Sequence, residues 1–360
     1  MSAPGPYDLS NVHLRDIFDA FIRPQLLGQF RPSAAPVIVL LGGQPGAGKT
    51  RATNEIRAQC RGSDITAIVG DDFRSLHPAY ARLVSEAPAL MPDATAPAAG
   101  AWVRMGIDLA LETRSSILVE GTFRRPEVTL GEADRFKAAG YQTHLIALSV
   151  PASLSRMSTL GRYVEDHRRS GEARWTPLEG HDAGYAGTPA TVAAAERHPA
   201  IDRISVYNRD GTETFTASRR DGDPIQGAAT AVEIGRLAKL PALPALGWLR
   251  DLHNDVTYVM ESASFTSSMV PLMTQLLTDA QGVIPAAHPD PTSAGYRDAT
   301  RTIEADGTRM TALLRAREAQ SVARASHPPQ RSRTHPTQGP AASTGKAPGI
   351  DPGRSPGRGR

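Results

Sequence analysis

Residues 36–50, PVIVLLGGQPGAGKT, decide the fold of this chain. The run of branched aliphatic side chains at residues 37–41 predicts a short strand that is buried on both faces. This strand leads directly into residues 43–50, which have the spacing G-x-x-x-x-G-K-[ST] of a Walker A phosphate-binding loop, or P-loop. A helix predicted at residues 50–59 would present its positive N-terminal end to a bound phosphate.

The residue types in this loop suit the phosphates of a nucleotide. Glycine has no Cβ, so the backbone can wrap closely around a phosphate and direct its N–H groups inward. Lys49 would place a positive charge on the β- and γ-phosphates, and the Thr50 hydroxyl would ligate Mg²⁺. We therefore predict ATP and Mg²⁺ as ligands, with ATP bound by Gly43, Gln44, Pro45, Gly46, Ala47, Gly48, Lys49 and Thr50.

Length and composition indicate one large core with a smaller second unit, and no membrane segment. The chain has 360 residues, of which 40% are hydrophobic, and the longest apolar run is far shorter than a bilayer-spanning helix. The N-terminus lacks the charged and apolar regions of a secretory signal. Cys60 is the single cysteine, so no disulfide can form within the chain, and we expect it to be a small structural residue rather than a redox centre. These features predict a soluble, cytoplasmic protein with no membrane partner.

Positive charge is concentrated at the C-terminus. Residues 321–360 contain seven Arg or Lys and one Asp, a net charge of +6, which leaves −3 for the rest of the chain. This segment is rich in Pro, Gly and Ser, so it cannot bury a core and we expect it to be disordered. Because its arginines are not accompanied by aromatic side chains on which bases could stack, nucleic acid is not favoured as a partner.

Between these ends, the sequence alternates predicted strands with predicted helices. Strands are expected at residues 64–69, 117–119, 143–150, 203–207 and 212–216, the last two as a hairpin. Helices are expected at residues 102–113, 127–139, 152–168 and 188–197, and residues 86–100 are expected to form a loop. This order predicts an α/β fold of the P-loop NTPase or kinase type, with a mostly parallel sheet flanked by helices.

The predicted domains follow from this pattern. Residues 1–35 carry an N-terminal helix and residues 36–240 form the kinase-type domain. Helical patterns at 248–320 predict an accessory helical extension, and 321–360 form the tail. Polar side chains follow two predicted strands, with Asp71 and Asp72 after one and Glu120 after the other. Since open α/β sheets bind ligands at the carboxyl ends of their strands, these groups should lie near the P-loop.

Several segments together resemble the zeta toxins, the P-loop kinases of bacterial toxin–antitoxin systems. The resemblance spans residues 36–182 in the order of the family, and continues weakly to about 216. The segments that carry it are GQPGAGKT at 43–50, DDFRSLHP at 71–78, VEGTFR at 119–124, ALSVP at 147–151, TLGRY at 159–163, and ARWTP at 173–177 with His181-Asp182.

The resemblance implies an activity and a set of site residues. The family uses ATP and Mg²⁺ to phosphorylate the 3′-hydroxyl of the amino sugar of UDP-N-acetylglucosamine, and a small helical antitoxin covers the ATP site. Asp71 matches the general base, with Asp72 as the alternative, while Arg162 and Arg174 match the arginines that neutralise the transferring phosphoryl group. The segment that matches the family's substrate-binding strand end contributes Glu120, Thr122 and Arg124.

Some assignments keep an alternative. Arg124 would contact a diphosphate or, instead, form a structural ion pair with Glu120 or Asp71. The remaining arginines near the predicted helix 152–168 are expected to be solvated; they are Arg156, Arg168 and Arg169.

One departure from the family concerns the acceptor. Arg104 occupies the position of the family's acidic residue on the helix before Glu120. Either Asp108, one turn further on, replaces that residue as a substrate contact, or the acceptor is a different nucleotide such as NAD. Two other classes of function also remain open. One is a polynucleotide 5′-kinase, and the other is a non-catalytic, nucleotide-gated binding module whose 248–320 helices recruit a partner.

Overall fold

A computed structural model describes residues 5–59, 65–88, 90–219 and 223–326 of the chain. Residues 1–315 form one compact unit and residues 316–360 form a second. Cys60 and residues 327–360 of the predicted tail lie outside the described residues. No helix in the described part of the chain is long and apolar enough to cross a membrane.

A six-stranded sheet forms the centre of the first unit, with the strand order β2-β3-β1-β4-β5-β6. Every neighbouring pair is parallel except the hairpin of β5 and β6. The predicted mostly parallel sheet is therefore confirmed. The strands are β1 (Val37–Gly42), β2 (Thr66–Ile68), β3 (Ile117–Gly121), β4 (Gln142–Leu148), β5 (Arg203–Tyr207) and β6 (Glu213–Ser218).

Thirteen α-helices occur within the described residues, and π-helical residues Phe18–Ile22 join the first two. They are α1 (Asn11–Ile17), α2 (Arg23–Gln29), α3 (Lys49–Gln59), α4 (Gly70–Phe73), α5 (Tyr80–Glu86), α6 (Met91–Thr113), α7 (Pro126–Ala138), α8 (Ala152–Ser170), α9 (Leu178–Arg197), α10 (Ala228–Arg236), α11 (Ala242–Glu261), α12 (Val270–Ala287) and α13 (Ala294–Ser326).

Helix α6 corrects the loop predicted at residues 86–100, because it begins at Met91 and runs without interruption to Thr113. Pro92 occupies the first turn, where a helix has no use for the missing N–H, and Pro97 is accommodated inside the helix. The helix is anchored by Trp102, which is fully buried and donates an indole hydrogen bond to the Leu14 carbonyl at 2.9 Å. Tertiary packing therefore outweighs the prolines that predicted a loop.

The C-terminal helices share a hydrophobic core with the kinase part of the fold. Side chains of α8, such as Leu160 and Tyr163, belong to the same buried cluster as Leu252 of α11 and Leu276 of α12. The predicted accessory region is thus packed against α8. Helix α13 ends at Ser326, so the first six residues of the predicted disordered tail are helical.

The parallel strands bring the predicted polar segments to one edge of the sheet. β1 lies between β3 and β4, and β2 pairs with the far side of β3. The P-loop follows β1, α4 with Asp71 follows β2, and Glu120 lies near the end of β3. The carboxyl ends of neighbouring parallel strands point the same way, so these three segments meet where α/β sheets bind ligands.

Candidate active site

The P-loop forms a tightly packed turn over the six residues between the last residue of β1, Gly42, and the start of α3 at Lys49. Gly46 and Gly48 have φ angles of +76° and +97°, which side chains with a Cβ rarely adopt. A Cβ at Gly46 would also lie 2.0 Å from the Ser155 carbonyl oxygen of α8. Glycine at position 46 is therefore required both by the backbone conformation and by the close approach of α8.

Lys49 lies across this loop. Its Nζ donates hydrogen bonds to the carbonyl oxygens of Gly43 at 2.9 Å and Gln44 at 3.2 Å. Burial lowers the pKa of the Lys49 ammonium to about 8, although the negative charges of Glu120 and Asp71 oppose this shift. The loop lysine is thus charged at neutral pH but close to its titration range.

Asp71 accepts two charge-assisted hydrogen bonds. Arg174 Nη1 lies 2.5 Å from Oδ2, and Arg74 Nε donates to Oδ1 at 2.9 Å. Burial by itself would raise the pKa of Asp71, but the two guanidinium groups outweigh it and hold the pKa well below its usual range. Asp71 is therefore ionised throughout the neutral range.

Arg74 was quoted within a motif but given no role by the sequence. Its Nη1 donates to the Pro92 carbonyl at 2.6 Å and to the Thr95 hydroxyl at 2.7 Å, and this fixes the guanidinium that holds Asp71. Helix α6, which supplies both acceptors, was predicted as a loop at this point. Because that helix was not predicted, no sequence pattern indicated that Arg74 would have fixed acceptors there.

Asp72, the alternative base, differs from its neighbour. Desolvation and the adjacent Asp71 charge raise the pKa of Asp72. Its carboxylate forms no ion pair with any described residue. The structure thus distinguishes the two carboxylates, because the arginines engage Asp71.

Glu120 lies near the end of β3 and accepts a 2.6 Å hydrogen bond from the Thr53 hydroxyl of α3. Burial raises the pKa of Glu120, while this hydrogen bond and the Lys49 charge act against the rise. Thr53 was missed by the sequence analysis. Its position one turn after Thr50 on the same helix face was a signal that could have found it.

Two arginines act on Lys49: Arg162 of α8 and Arg174, which follows α8. Their positive charges help to lower the pKa of Lys49, so both guanidinium groups lie near the P-loop. Arg174 Nε is buried without a hydrogen-bond acceptor among the described residues. Arg162 makes no hydrogen bond or ion pair with a described residue, and desolvation lowers its pKa. Both guanidinium groups therefore keep donors that a bound phosphate could use, although their catalytic roles stay predictions.

The loop after β3 carries the other predicted substrate contacts. Phe123, between Thr122 and Arg124, is buried with a φ of +48°, an unusual conformation for a bulky side chain. Arg124 donates to the Gly180 carbonyl of α9 at 3.0 Å, so the predicted ion pair with Glu120 or Asp71 is not formed. Such uncommon backbone conformations cluster at functional sites.

Two further predictions are placed away from these groups. The Asp108 carboxylate lies 2.6 Å from Arg135 of α7, and Arg104 is exposed on α6. The role of Asp108 as a substrate contact stays a prediction, and its observed partner does not support that role.

The prediction that the Arg156 side chain is solvated is wrong. Its side chain is only 12% exposed and pairs with Asp182 and Asp279. Arg169, by contrast, is largely exposed, and Arg168 stacks over the Tyr258 ring at 4.5 Å.

A glycine-rich loop between a strand of a mostly parallel sheet and a helix, with its lysine and an ionised carboxylate at the same edge of the sheet, is the arrangement of P-loop kinases. Within that class, the zeta toxin family model matches residues 25–221, more than half of the chain. The chain therefore belongs to the zeta toxin family of kinase-like toxins, which confirms the resemblance found in the sequence.

Individual relatives agree with this assignment. Toxin PezT of Streptococcus pneumoniae is 34% identical over 181 residues, which are 50% of this chain and 71% of that protein. Toxin zeta of Enterococcus hirae is 27% identical over 184 residues, 51% of this chain and 64% of that protein. A solved structure from the PezAT chromosomal toxin–antitoxin system of S. pneumoniae is 25% identical, with a TM-score of 0.59, and covers 71% of this chain and 100% of the solved chain.

Proposed function

We propose that the protein is an ATP-dependent kinase that phosphorylates a hydroxyl of a nucleotide sugar, namely the 3′-hydroxyl of the amino sugar of UDP-N-acetylglucosamine. Membership of the zeta toxin family supports the kinase chemistry. The observation that carries the proposal is the ionised Asp71 carboxylate, held by Arg174 and Arg74 at the same sheet edge as Lys49. A binding loop alone would not need such a carboxylate.

In the proposed reaction, the acceptor oxygen bonds to the γ-phosphorus while the bond from that phosphorus to the β–γ bridging oxygen breaks. ADP leaves, and the hydroxyl proton passes to the Asp71 carboxylate. Phosphoryl transfer depends mostly on positioning and charge stabilisation. A weakly basic carboxylate that is always ionised is adequate for this step, and the low pKa of Asp71 is consistent with it.

Positive charge around the loop supports phosphate binding. Lys49 would contact the β- and γ-phosphates, while Arg162 and Arg174 would neutralise charge on the transferring group. In the described structure the Lys49 ammonium donates hydrogen bonds to two loop carbonyls. Phosphate oxygens would replace those acceptors when ATP binds.

The residues present also fit Mg²⁺. Thr50 is exposed at the start of α3, and its hydroxyl makes no hydrogen bond to a described residue. The described residues contain no group of three or more His, Cys, Asp or Glu side chains that could hold a metal by themselves. Mg²⁺ in kinases is held by few protein side chains together with substrate phosphates and water, so Thr50 would be the protein ligand from the P-loop. When bound, Mg²⁺ would neutralise phosphate charge.

The acceptor is proposed to bind along the end of β3. Glu120, Thr122 and Arg124 follow one another there and offer both charge signs to a nucleotide sugar. Because Asp108 is engaged with Arg135, it does not compensate for Arg104 in this structure. NAD and other nucleotides are therefore the alternative acceptors for the test.

A small helical antitoxin is the proposed protein partner. The support is the similarity to a solved structure from the PezAT toxin–antitoxin system. Inhibition by a partner that covers the P-loop would be relieved by excess ATP, and inhibition elsewhere would not. Competition between ATP and the antitoxin would test this part of the proposal.

The decisive experiment measures transfer of label from γ-labelled ATP by the purified full chain. The acceptors are UDP-N-acetylglucosamine, other UDP-sugars, NAD and 5′-hydroxyl oligonucleotides. Asp71→Asn is the test variant, and Asp298→Asn, on an exposed helix surface, is the matched control. We expect label on UDP-N-acetylglucosamine with the wild type and the control only.

Each other outcome has a defined meaning. Label on a different acceptor would overturn the proposed substrate and leave the kinase chemistry intact. If Asp71→Asn instead binds nucleotide and partner normally, and the wild type transfers no label, the protein is a nucleotide-gated binding module.

A further inference from the structure

A chain of polar contacts, buried except at Asp182, whose side chain is 43% exposed, leads away from the P-loop towards the C-terminal helices. It begins at Gln44, whose side chain is 0% exposed. Gln44 Nε2 donates to the Val150 carbonyl at 3.0 Å and to the Ser155 hydroxyl of α8 at 3.1 Å. The main-chain carbonyl of the same residue accepts a hydrogen bond from Lys49. The position of Gln44 therefore bears directly on the phosphate site.

The chain continues through a serine, a histidine and an aspartate. Ser155 Oγ lies 2.8 Å from His181 Nε2, and His181 Nδ1 lies 2.8 Å from Asp182 Oδ1. Because a carboxylate can only accept, Nδ1 carries the ring hydrogen and Nε2 accepts from the serine hydroxyl. Burial lowers the pKa of His181, which agrees with this neutral tautomer.

This Ser-His-Asp arrangement does not form a hydrolase site. Ser155 and His181 are both 0% exposed, so no substrate reaches the hydroxyl. The hydroxyl also contacts the carbonyl oxygens of Pro151 and Ala152 within its own helix turn. The arrangement instead fixes the orientation of the Ser155 hydroxyl and the His181 ring.

Arg156 extends the contacts to α12. Its Nη2 donates to Asp182 Oδ1 at 3.0 Å, and its Nη1 lies 3.0 Å from both carboxylate oxygens of Asp279. Gln275 also donates to Asp279 at 3.0 Å. The Arg156 and Asp279 side chains are each only 12% exposed, so solvent cannot replace these contacts without rearrangement.

The geometry points to α12 as a positioning element of the phosphate site. Asp279, through Arg156 and the Asp182–His181–Ser155 contacts, holds the Gln44 side chain and with it the P-loop. Asp279 lies outside the residues matched by the family model, in the extension whose role the sequence left open. The effect on nucleotide affinity rests on the proposed function, whereas the effect on the Gln44 side chain does not.

The physical consequence can be followed along the contacts. Without the Asp279 charge, Arg156 would be buried with one carboxylate partner in place of two, and it would shift towards Asp182. That shift would be passed through His181 and Ser155 to the loop. Nucleotide affinity should fall, whereas the acceptor side at the end of β3 makes none of these contacts and should keep its affinity.

The first test compares two substitutions in the C-terminal helices of the full chain. Asp279→Asn breaks the contact to Arg156. Asp306→Asn is the control, because Asp306 is also buried and contacts His253 of α11 at 2.8 Å. Calorimetric titration with MgADP should show an affinity about tenfold lower for Asp279→Asn and unchanged for Asp306→Asn. Thermal midpoints of both variants identify any common loss of stability.

The second test observes Gln44 directly and needs no kinase activity. The side-chain NH₂ signals of ¹⁵N-glutamine-labelled protein are recorded, and the Gln44 pair is assigned by its loss in Gln44→Ala. Asp279→Asn should shift this pair, and Asp306→Asn should leave it in place. An unshifted pair in Asp279→Asn, or equal shifts in both variants, would overturn the inference.

A double-mutant cycle completes the test. Ser155→Ala and Asp279→Asn interrupt the same chain of contacts. The loss of MgADP affinity in the double variant should therefore not exceed the larger of the two single-variant losses. Fully additive losses would show that the two residues act separately. Absence of MgADP binding by the wild type would count against the proposed function, and the Gln44 signals would still decide the positioning role.

Discussion

Two regions of the molecule are rich in charged side chains: the phosphate edge of the sheet, with Lys49, Arg162 and Arg174, and the junction between α8 and α12, with Arg156 and Asp279. They differ in whether the hydrogen-bond donors of their arginines have acceptors. At the phosphate edge, Arg162 and the Nε of Arg174 have donors without acceptors among the described residues, and burial lowers the pKa of Lys49. At the junction, Arg156 is shared by two carboxylates. Unused donors favour binding of an anion, whereas satisfied ones favour a fixed structure.

The largest effect is expected from Lys49→Ala, which removes the charge at the centre of the phosphate edge. Phosphoryl transfer should fall by about a thousandfold, as when one key transition-state donor is removed. Lys239→Ala, at an exposed position, is the control. Rates of label transfer from ATP test this, and full activity of Lys49→Ala would contradict the active-site assignment.

The next effect concerns the junction and is a loss of stability. Arg156→Ala leaves the buried Asp279 without its guanidinium partner, which should reduce the free energy of unfolding by about 3 kcal/mol. Urea titration followed by circular dichroism measures it. Arg301→Ala removes an exposed ion pair and should change stability by less than about 1 kcal/mol. Equal losses would contradict the difference between the two regions.

Arg174→Ala should slow transfer by about a hundredfold, because it removes a cation that we propose acts on the reacting phosphoryl group. It should also change the pH profile. Arg174 lowers the pKa of Asp71, so its removal raises that pKa, and the acid limb of kcat/KM moves to higher pH. An acid limb in the same place as in the wild type would show that Arg174 does not control Asp71.

A smaller, graded effect is expected from pH alone. Lys49 is proposed to bind phosphate as an ammonium ion, and burial lowers its pKa to about 8. Nucleotide affinity should therefore be constant below pH 7 and fall above pH 8, by at most about tenfold per pH unit. Calorimetry with MgADP between pH 6 and 9.5 measures the curve. A flat curve would show that Lys49 stays protonated throughout.

The smallest effect is expected at the end of the chain. Removal of residues 327–360 should leave phosphoryl transfer and toxicity unchanged, because their composition does not favour a buried core or a base-stacking surface. The cut keeps α13 whole, since that helix ends at Ser326. Growth arrest on expression, measured beside the full chain, would detect any contribution of the removed residues.

Sequence reasoning succeeded where neighbouring residues determine the outcome. The aliphatic run before Gly43 predicted β1, and the loop spacing predicted the start of α3 within one residue. Alternating strands and helices then predicted a parallel sheet, because parallel strands need a long crossover connection, which is usually a helix. The strand ends also placed Asp71 and Glu120 at the correct edge of the sheet.

It failed where distant residues determine the outcome. Arg156 looked like a solvated side chain, since its partners lie 26 and 123 residues further along the chain. In the same way, the prolines near the start of α6 favoured a loop until the packing of Trp102 against α1 was known. No local sequence pattern predicts such contacts, because they depend on how the helices pack in the folded protein.

The link from Gln44 to α12 also sets an order of events during synthesis. The loop leaves the ribosome first, and more than 200 residues must follow before Asp279 can reach Arg156. A nascent polypeptide that already contains all six strands of the sheet therefore still lacks the contact between Arg156 and Asp279. The phosphate site of a toxin reaches its described packing only after translation has passed α12.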